Sequence, residues 1–212
     1  MLFAHDTARA LHAAATLVNT GQNGFDVLAD IAALDRWLGE EGWTGARRGD
    51  QRELDEVRAL RRRLRRLWAL DEAGVAAEVN EMLRAANALP QLVAHDGWPF
   101  HLHATPQGAP LVDRMAVEAA MALVDVVRQG ELSRLQVCRA TDCADVLVDL
   151  SKNRSRLYCS TSCTNRMNVA AYRSRRAGTP AEPRPSPDAP PPAAPRGAPA
   201  GGGRNARCAI RQ

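Results

Sequence analysis

The chain has 212 residues, of which 45% are apolar and 25% charged. This length and composition suffice for one folded core with a small additional module, and they exclude a wholly disordered chain. No stretch of the sequence approaches the roughly 18 apolar residues of a membrane span. The first 20 residues contain Asp6 and Arg9 where a signal peptide has an apolar run. We therefore expect no membrane contact and a cytoplasmic location.

The net charge of +4 is distributed unevenly. Residues 1–133 carry 14 Arg against 19 Asp and Glu, a net charge of −5. Residues 134–176 carry nine Lys and Arg against three Asp, a net charge of +6, and residues 177–212 have a net charge of +3. A basic C-terminal region is the electrostatic footprint of a nucleic-acid contact. Small basic modules also occur that do not bind DNA, and that alternative stays open.

Residues 1–133 are predicted to form a mainly α-helical domain. Apolar residues recur at intervals of three and four, which is the spacing of a buried helix face. Asp50 is a predicted N-cap, and Glu53 would complete a capping box. The predicted helices cover residues 5–19, 25–38, 51–68, 75–89 and 111–128.

A run of arginines on the third predicted helix has two interpretations. Arg61, Arg62, Arg63, Arg65 and Arg66 lie on its polar side. They indicate either a nucleic-acid contact or a solvated face balanced by nearby carboxylates. We favour the solvated face, since acidic residues flank the run on both sides.

One β-hairpin is predicted in this domain, from residues 91–94 and 100–104 on either side of an Asp-Gly turn. His101 and His103 alternate with an apolar residue and therefore share one strand face. Together with His95 they could form a metal or ligand site. The favoured interpretation is exposed histidines without a ligand.

Residues 178–212 differ from the rest of the chain. They hold nine of the 13 prolines, and their apolar residues are almost all alanines. Such a segment cannot bury enough surface to offset its ordering entropy, so a disordered basic tail is predicted. Cys208 lies in this tail, too isolated to be expected as a metal ligand.

Four cysteines form the most specific motif of the chain. Cys138, Cys143, Cys159 and Cys163 have the pattern C-x4-C-x15-C-x3-C, and no cysteine precedes them. Two close pairs favour four thiolates around one zinc ion. The alternative is two disulfides, which require an oxidising compartment. Reduced thiols in the cytoplasm favour zinc.

The segment around the cysteines predicts a small zinc finger of one short strand and one helix. Val146 to Val148 form the strand, and Ser160 is the N-cap of a helix that runs to about Arg176. Cys163 then lies in the first helical turn, where free N–H groups favour a thiolate. Met167, Ala170 and Ala171 are expected on its inner side. Four thiolates leave no open metal position, and no catalytic motif is present, so we expect no enzyme activity.

The sequence from Asp149 to Ser160, DLSKNRSRLYCS, followed by Cys163-Thr164-Asn165-Arg166, resembles the CGNR zinc-finger family. Thr164 replaces the glycine of that family's Cys-Gly-Asn-Arg signature. The segments Leu17–Thr20 (LVNT) and Leu34–Leu38 (LDRWL) resemble the helical ABATE domain, described as a stress-induced transcription regulator. The resemblance implies a helical domain over residues 1–133 and a finger over 134–177, and the composition leaves residues 178–212 as the tail.

Together, these observations predict a two-part transcription regulator. Its zinc finger would bind double-stranded DNA, and its helical domain would form a homodimer or sense a small-molecule effector. The alternatives are a zinc-stabilised protein-interaction module and an RNA-binding protein, although few aromatic residues are available for base stacking. The predicted DNA-binding residues are Lys152, Arg154, Arg156, Asn165, Arg166, Arg173 and Arg176.

Overall fold

The computed structural model describes residues 3–94, 100–176 and 178. Within them the mainly α-helical fold with one hairpin in the N-terminal domain is confirmed. All described residues belong to one compact unit, Met1–Ala181. The elements are α1 His5–Asn19, α2 Ile31–Glu40, α3 Gln51–Leu67, α4 Glu72–Ala85, β1 Gln91–Val93, β2 His101–His103, α5 Leu111–Arg128, a 3-10 turn Leu132–Arg134, β3 Leu135–Val137, β4 Val146–Val148 and α6 Thr161–Arg176.

Some predictions lie outside the described residues: His95, the Asp96-Gly97 turn, and the tail from residue 179 onward with Cys208. None of the helices in the described ranges combines the length and the apolar character needed to cross a membrane.

Helix α5 is the centre of the helical core. It contacts α1, α3 and α4, and half of its 18 residues are buried, among them Met115, Leu123 and Val126. Residues Leu11, Leu17 and Val18 of α1 pack into the same cluster. The periodic apolar positions of the sequence therefore meet in one core, as amphipathic helices require.

Helix α2 begins at Ile31, six residues later than predicted. Asp30 is its N-cap and accepts a hydrogen bond from the Ala33 N–H at 2.7 Å. Before it, Asp26 accepts the backbone N–H two residues further on and also pairs with Arg61. These local hydrogen bonds compete with helix formation and hold residues 25–29 in a loop.

The arginine run is not one uniform solvated face. Arg61 is buried, and its guanidinium donates to both carboxylate oxygens of Asp26 at 2.7 and 2.9 Å. Arg63 pairs with Glu78 of α4, while Arg62 and Arg66 are exposed. The prediction is therefore wrong for Arg61, because an acidic loop residue compensates its buried charge.

The helix starts follow their capping residues. Asp50 accepts the N–H of Glu53 at 2.8 Å, as predicted for an N-cap. The Glu53 carboxylate does not close a capping box; it accepts the N–H groups of Arg48 and Gly49. Helix α4 begins three residues before the predicted start because Asp71 caps it, and it ends at Ala85.

The predicted hairpin is present as the antiparallel pair β1–β2, with Leu92 opposite Leu102. His101 and His103 share one face, and their Nε2 atoms are 2.9 Å apart. Among the described residues, only the four cysteines form a group of three or more metal-binding side chains. His101 and His103 are half-buried rather than exposed, while Leu102 between them is exposed. Because His95 lies outside the described residues, the three-histidine metal site stays a prediction.

A second hairpin joins the finger to the helical core. Strand β3, which was not predicted, pairs with β4, and Leu135, Val146 and Val148 are part of the helical core. Asn19 of α1 donates to the carbonyl of Val146 and accepts its N–H, at 2.9 and 2.8 Å. The amide of Asn19 thus pairs with the finger backbone as a neighbouring strand would.

Two further side chains hold the same finger segment. Asn23, at φ 58°, accepts the N–H of Ala144 and donates to the Asp145 carboxylate. The indole N–H of Trp68 donates to the Leu147 carbonyl at 3.0 Å. The first half of the finger is therefore fixed to the helical domain.

Candidate metal centre

The four predicted cysteine ligands converge at one point. The Sγ atoms of Cys138, Cys143, Cys159 and Cys163 all lie within 4.8 Å of one another. Sγ of Cys159 is 3.7 Å from that of Cys143 and 3.6 Å from that of Cys163. Four sulfurs at about 2.3 Å from a tetrahedral zinc ion are about 3.8 Å apart. The arrangement therefore fits zinc.

Each cysteine is placed by a local hydrogen bond. The N–H of Cys138, just after β3, donates to the Asp145 carbonyl, and the N–H of Cys143 closes a turn on Ala140. The Cys159 N–H points at Sγ of Cys138, at 3.4 Å. Ser160 accepts the N–H of Cys163 and so begins α6, as predicted. These backbone and side-chain hydrogen bonds place the two cysteine pairs next to each other.

The cysteines supply half of the finger's own core. Its buried residues are Cys138, Ala140, Leu147 and Cys163, with Met167 and Tyr158 packed against them. Burying so few side chains cannot offset the ordering of more than 20 residues. A bound metal must supply the remaining folding free energy.

Without a metal, burial favours the protonated thiols of Cys143 and Cys159. Burial raises the pKa of Cys143 to about 11 and raises the pKa of Cys159 as well. Burial also opposes ionisation of Cys163, but hydrogen bonds from Ser160 and the neighbouring thiols lower its pKa overall. Zinc supplies the positive charge that lets all four sulfurs ionise together, and its binding releases protons.

Arg166 adds charge next to this site. Its guanidinium donates to Sγ of Cys163 at 3.3 Å and pairs with Asp142 at 2.8 Å. Asp142 lies in the turn between the first two cysteines. Arg166 therefore links the start of α6 to the first cysteine loop.

A buried carboxylate organises the loop that leads to Cys159. Asp149 is fully buried and accepts the N–H and hydroxyl of Ser151 at 2.9 and 2.6 Å. Its second oxygen accepts the N–H of Arg156 at 2.9 Å. The Arg156 side chain continues to the carbonyls of Tyr158 and Cys159. Asp149 thus closes a turn that positions the third ligand.

An ion network anchors this loop to the end of the helical domain. Arg134 is buried, pairs with Glu131 at 2.6 Å and donates to the carbonyls of Asp149 and Ser151. Arg154 donates to both oxygens of Glu131, at 2.8 and 2.9 Å. Two guanidiniums therefore share one carboxylate, and we call these three residues the Glu131 network.

The predicted DNA-binding residues fall into two groups. Arg154, Arg156 and Arg166 make the contacts described above with Glu131, the loop carbonyls and Asp142. All seven residues are exposed, and within the described residues Lys152, Asn165 and Arg173 make no side-chain hydrogen bond or ion pair of this kind. The guanidinium of Arg176 lies 5.7 Å from the ring centroid of Tyr172.

Helix α6 has a half-buried stripe and an outer face. Thr164, Met167, Ala171 and Ser174 are half-buried at intervals of three and four, and Cys163 is buried beside them. Ala170 is exposed, contrary to the prediction; it lies at the margin of the stripe, about 60° from Met167 around the helix. The outer face, opposite the stripe, consists of Asn165, Val169, Tyr172, Arg173 and Arg176.

Sequence reasoning missed the residues that hold the centre in place. Asn19, Asn23, Glu131, Arg134 and Asp149 carry no metal-ligating pattern. Asn19 and Asp149 do lie in the segments on which the family resemblance rests. For Glu131 and Arg134 the sequence offered only the i, i+3 spacing of a helical ion pair.

The fold and the cysteine cluster define a helical protein with a structural zinc finger. Residues 11–130 match the ABATE family, described as "putative stress-induced transcription regulator", and residues 134–176 match the CGNR zinc finger. The chain belongs to the ABATE family and carries a CGNR zinc finger, which confirms the resemblance. It binds zinc. No curated protein matches the chain.

Proposed function

We propose that the protein regulates transcription by binding double-stranded DNA through its zinc finger. The observation that carries the proposal is the charge of α6. This 16-residue helix contains four arginines and no acidic residue, and its outer face is exposed. A helix of this length spans about 24 Å and fits the major groove of duplex DNA.

The exposed basic residues are assigned to the phosphate backbone. Lys152, Arg173, Arg175 and Arg176 would neutralise phosphates and supply sequence-independent affinity. Arg154, Arg156 and Arg166 are assigned to holding the zinc loop, because they already pair with Glu131, with the loop carbonyls and with Asp142.

The N-terminal domain is assigned a regulatory role, either as a dimerisation unit or as an effector-sensing unit. No catalytic activity is assigned to the protein. Its net charge of −5 over residues 1–133 argues against direct DNA contact by this part. A dimer would place two fingers on one duplex.

A salt titration of DNA affinity tests the proposal. The zinc-loaded full chain is mixed with a labelled mixed-sequence duplex, and anisotropy is followed between low and physiological salt. Four phosphate contacts predict a slope of log affinity against log salt of roughly −3.6. Arg173→Ala and Lys152→Ala should each flatten the slope by about 0.9.

Matched controls separate the competing functions. Arg62→Ala removes an exposed arginine of α3 and should leave the slope unchanged. A single-stranded RNA of equal length should bind more weakly; tighter RNA binding would favour the RNA alternative. Absence of duplex binding at low salt would contradict the proposal. The protein-interaction module would then be the remaining alternative.

A further inference from the structure

The outer face of α6 contains an apolar centre that packing does not explain. Val169 is 47% exposed and Tyr172 is 52% exposed, with arginines around them. The half-buried stripe lies on the opposite side of the helix, so Val169 does not contribute to the finger's core. A β-branched residue also favours helix less than alanine does. Neither packing nor helix propensity accounts for Val169.

The spacing of the outer face matches reading of base edges in a major groove. Asn165 and Val169 are one helical turn apart, about 6 Å along the axis. This distance corresponds to about two base pairs of a duplex with a 3.4 Å rise. An asparagine amide is complementary to the N6 and N7 atoms of adenine, and an apolar side chain to the thymine methyl group.

We infer, on the basis of the proposed function, that Asn165 and Val169 select A·T base pairs. Asn165 donates to N7 and accepts from N6 of an adenine, and Val169 contacts the C5-methyl group of a thymine about two base pairs away. Arg173 lies beside Val169 on the same face and contacts the flanking phosphate. The ligand of this surface is duplex DNA with closely spaced A·T pairs.

Charge complementarity favours DNA over other occupants of this face. A second copy would bring two α6 helices together, each with four arginines and no carboxylate, and like charges would repel. The guanidinium of Arg176, held near the Tyr172 ring and hydroxyl, keeps the apolar centre surrounded by positive charge. Duplex DNA offers both the negative charge of its phosphates and the apolar methyl group of thymine.

The test removes one methyl group from the DNA and one apolar side chain from the protein. Binding sites are first selected from a random duplex pool with the zinc-loaded full chain. Each thymidine of the selected site is then replaced in turn by deoxyuridine, which lacks the C5-methyl group. At one position this replacement should weaken binding about fourfold, the equivalent of one buried methyl group.

Two variants assign the effect. Val169→Ala should bind the thymidine and deoxyuridine duplexes equally, whereas Val169→Ile should keep the difference. Asn165→Ala should reduce discrimination for adenine about tenfold. Ala170→Ser, which changes an exposed residue beside the outer face, should behave as the unchanged protein.

The outcomes separate this inference from the proposed function. DNA binding without A·T preference, or with equal affinity for deoxyuridine at every position, overturns the inference and leaves DNA binding intact. A change of sedimentation coefficient in Val169→Ala without loss of methyl sensitivity identifies a contact between copies and also overturns it. Absence of any duplex binding contradicts both this inference and the proposed function.

Discussion

The helical domain and the finger obtain their stability from different sources. Among the described residues, 28 form the main buried cluster, and 25 of them belong to the helical domain. The finger's own cluster has four, two of which are cysteines. Burial at about 25 cal/mol per Å² can fold the first but not the second. The comparison shows that zinc is needed locally, where apolar area is missing.

The same contrast divides the finger itself. Its first half, up to Val148, is part of the helical core through β3 and β4. Its second half consists of the loop from Asp149 to Cys159 and helix α6, and Cys163 is the one buried residue of α6. The metal therefore attaches the exposed basic helix to a hairpin that the helical domain already holds.

Removal of zinc should have the largest effect. Purified protein should contain about one zinc per chain, and Cys159→Ser should lose it. Metal binding contributes on the order of 10 kcal/mol to folding in such modules. Amide exchange should then become fast in residues 151–176 and stay slow in α1, α3 and α5. Disulfides in freshly isolated protein, or uniform unfolding of the whole chain, would contradict this comparison.

Glu131→Gln tests the anchor between the two regions. The substitution removes the charge that two guanidiniums share, one of them the buried Arg134. We expect a loss of about 3 kcal/mol in the free energy of unfolding, because Arg134 keeps an uncompensated buried charge. Urea unfolding measures the loss. A loss similar to that in Glu40→Gln, an exposed glutamate of α2, would show that the network is not needed.

Asn19→Ala tests whether the helical domain positions the finger. It removes two hydrogen bonds to Val146 and should cost about 2 kcal/mol, since the backbone groups remain partly buried. Zinc affinity, measured by chelator competition, should fall as well. Gln22→Ala is a matched control, since its amide contacts only α1. Unchanged zinc affinity in Asn19→Ala would show that the two regions fold independently.

Arg154→Ala should have a smaller effect. Its side chain is 52% exposed, so loss of its ion pair with Glu131 should cost about 0.5 kcal/mol. The salt slope of DNA binding should stay constant, whereas Arg173→Ala flattens it. A flatter slope of log affinity against log salt in Arg154→Ala would show that Arg154 contacts DNA after all.

The pH dependence of stability should show the weakest effect, through Glu53. Burial opposes its ionisation, but the N–H groups of Arg48 and Gly49 and the guanidinium of Arg47 lower its pKa overall. A lowered pKa gives stability that is present above the unfolded value of about 4.3 and is lost as pH falls through the folded value. Glu53→Gln should make thermal stability less dependent on pH in this acidic range. If Glu53→Gln loses thermal stability at acidic pH in the same way as the unchanged protein, Glu53 is not the group responsible.

Sequence patterns predicted the parts of the structure that depend on local order. The extents of α1 and α5 and the capping residues Asp50 and Ser160 followed from periodicity and N-cap chemistry. The start of α2 did not, because Asp26 pairs with Arg61 of another helix. Strand β3 was also missed, since three residues carry too little periodicity to indicate a strand.

The sequence by itself determined the zinc ligands, because thiolate chemistry and short spacing suffice to bring four sulfurs to one ion. It also determined the mainly helical fold class and the basic character of α6. Only the tertiary structure decided which arginines of the described residues already have protein partners. Arg154, Arg156 and Arg166 look equivalent to Lys152 and Arg173 along the chain, yet their partners lie up to 24 residues away. Such pairings depend on which backbone segments meet in space, and charge counts do not contain that information.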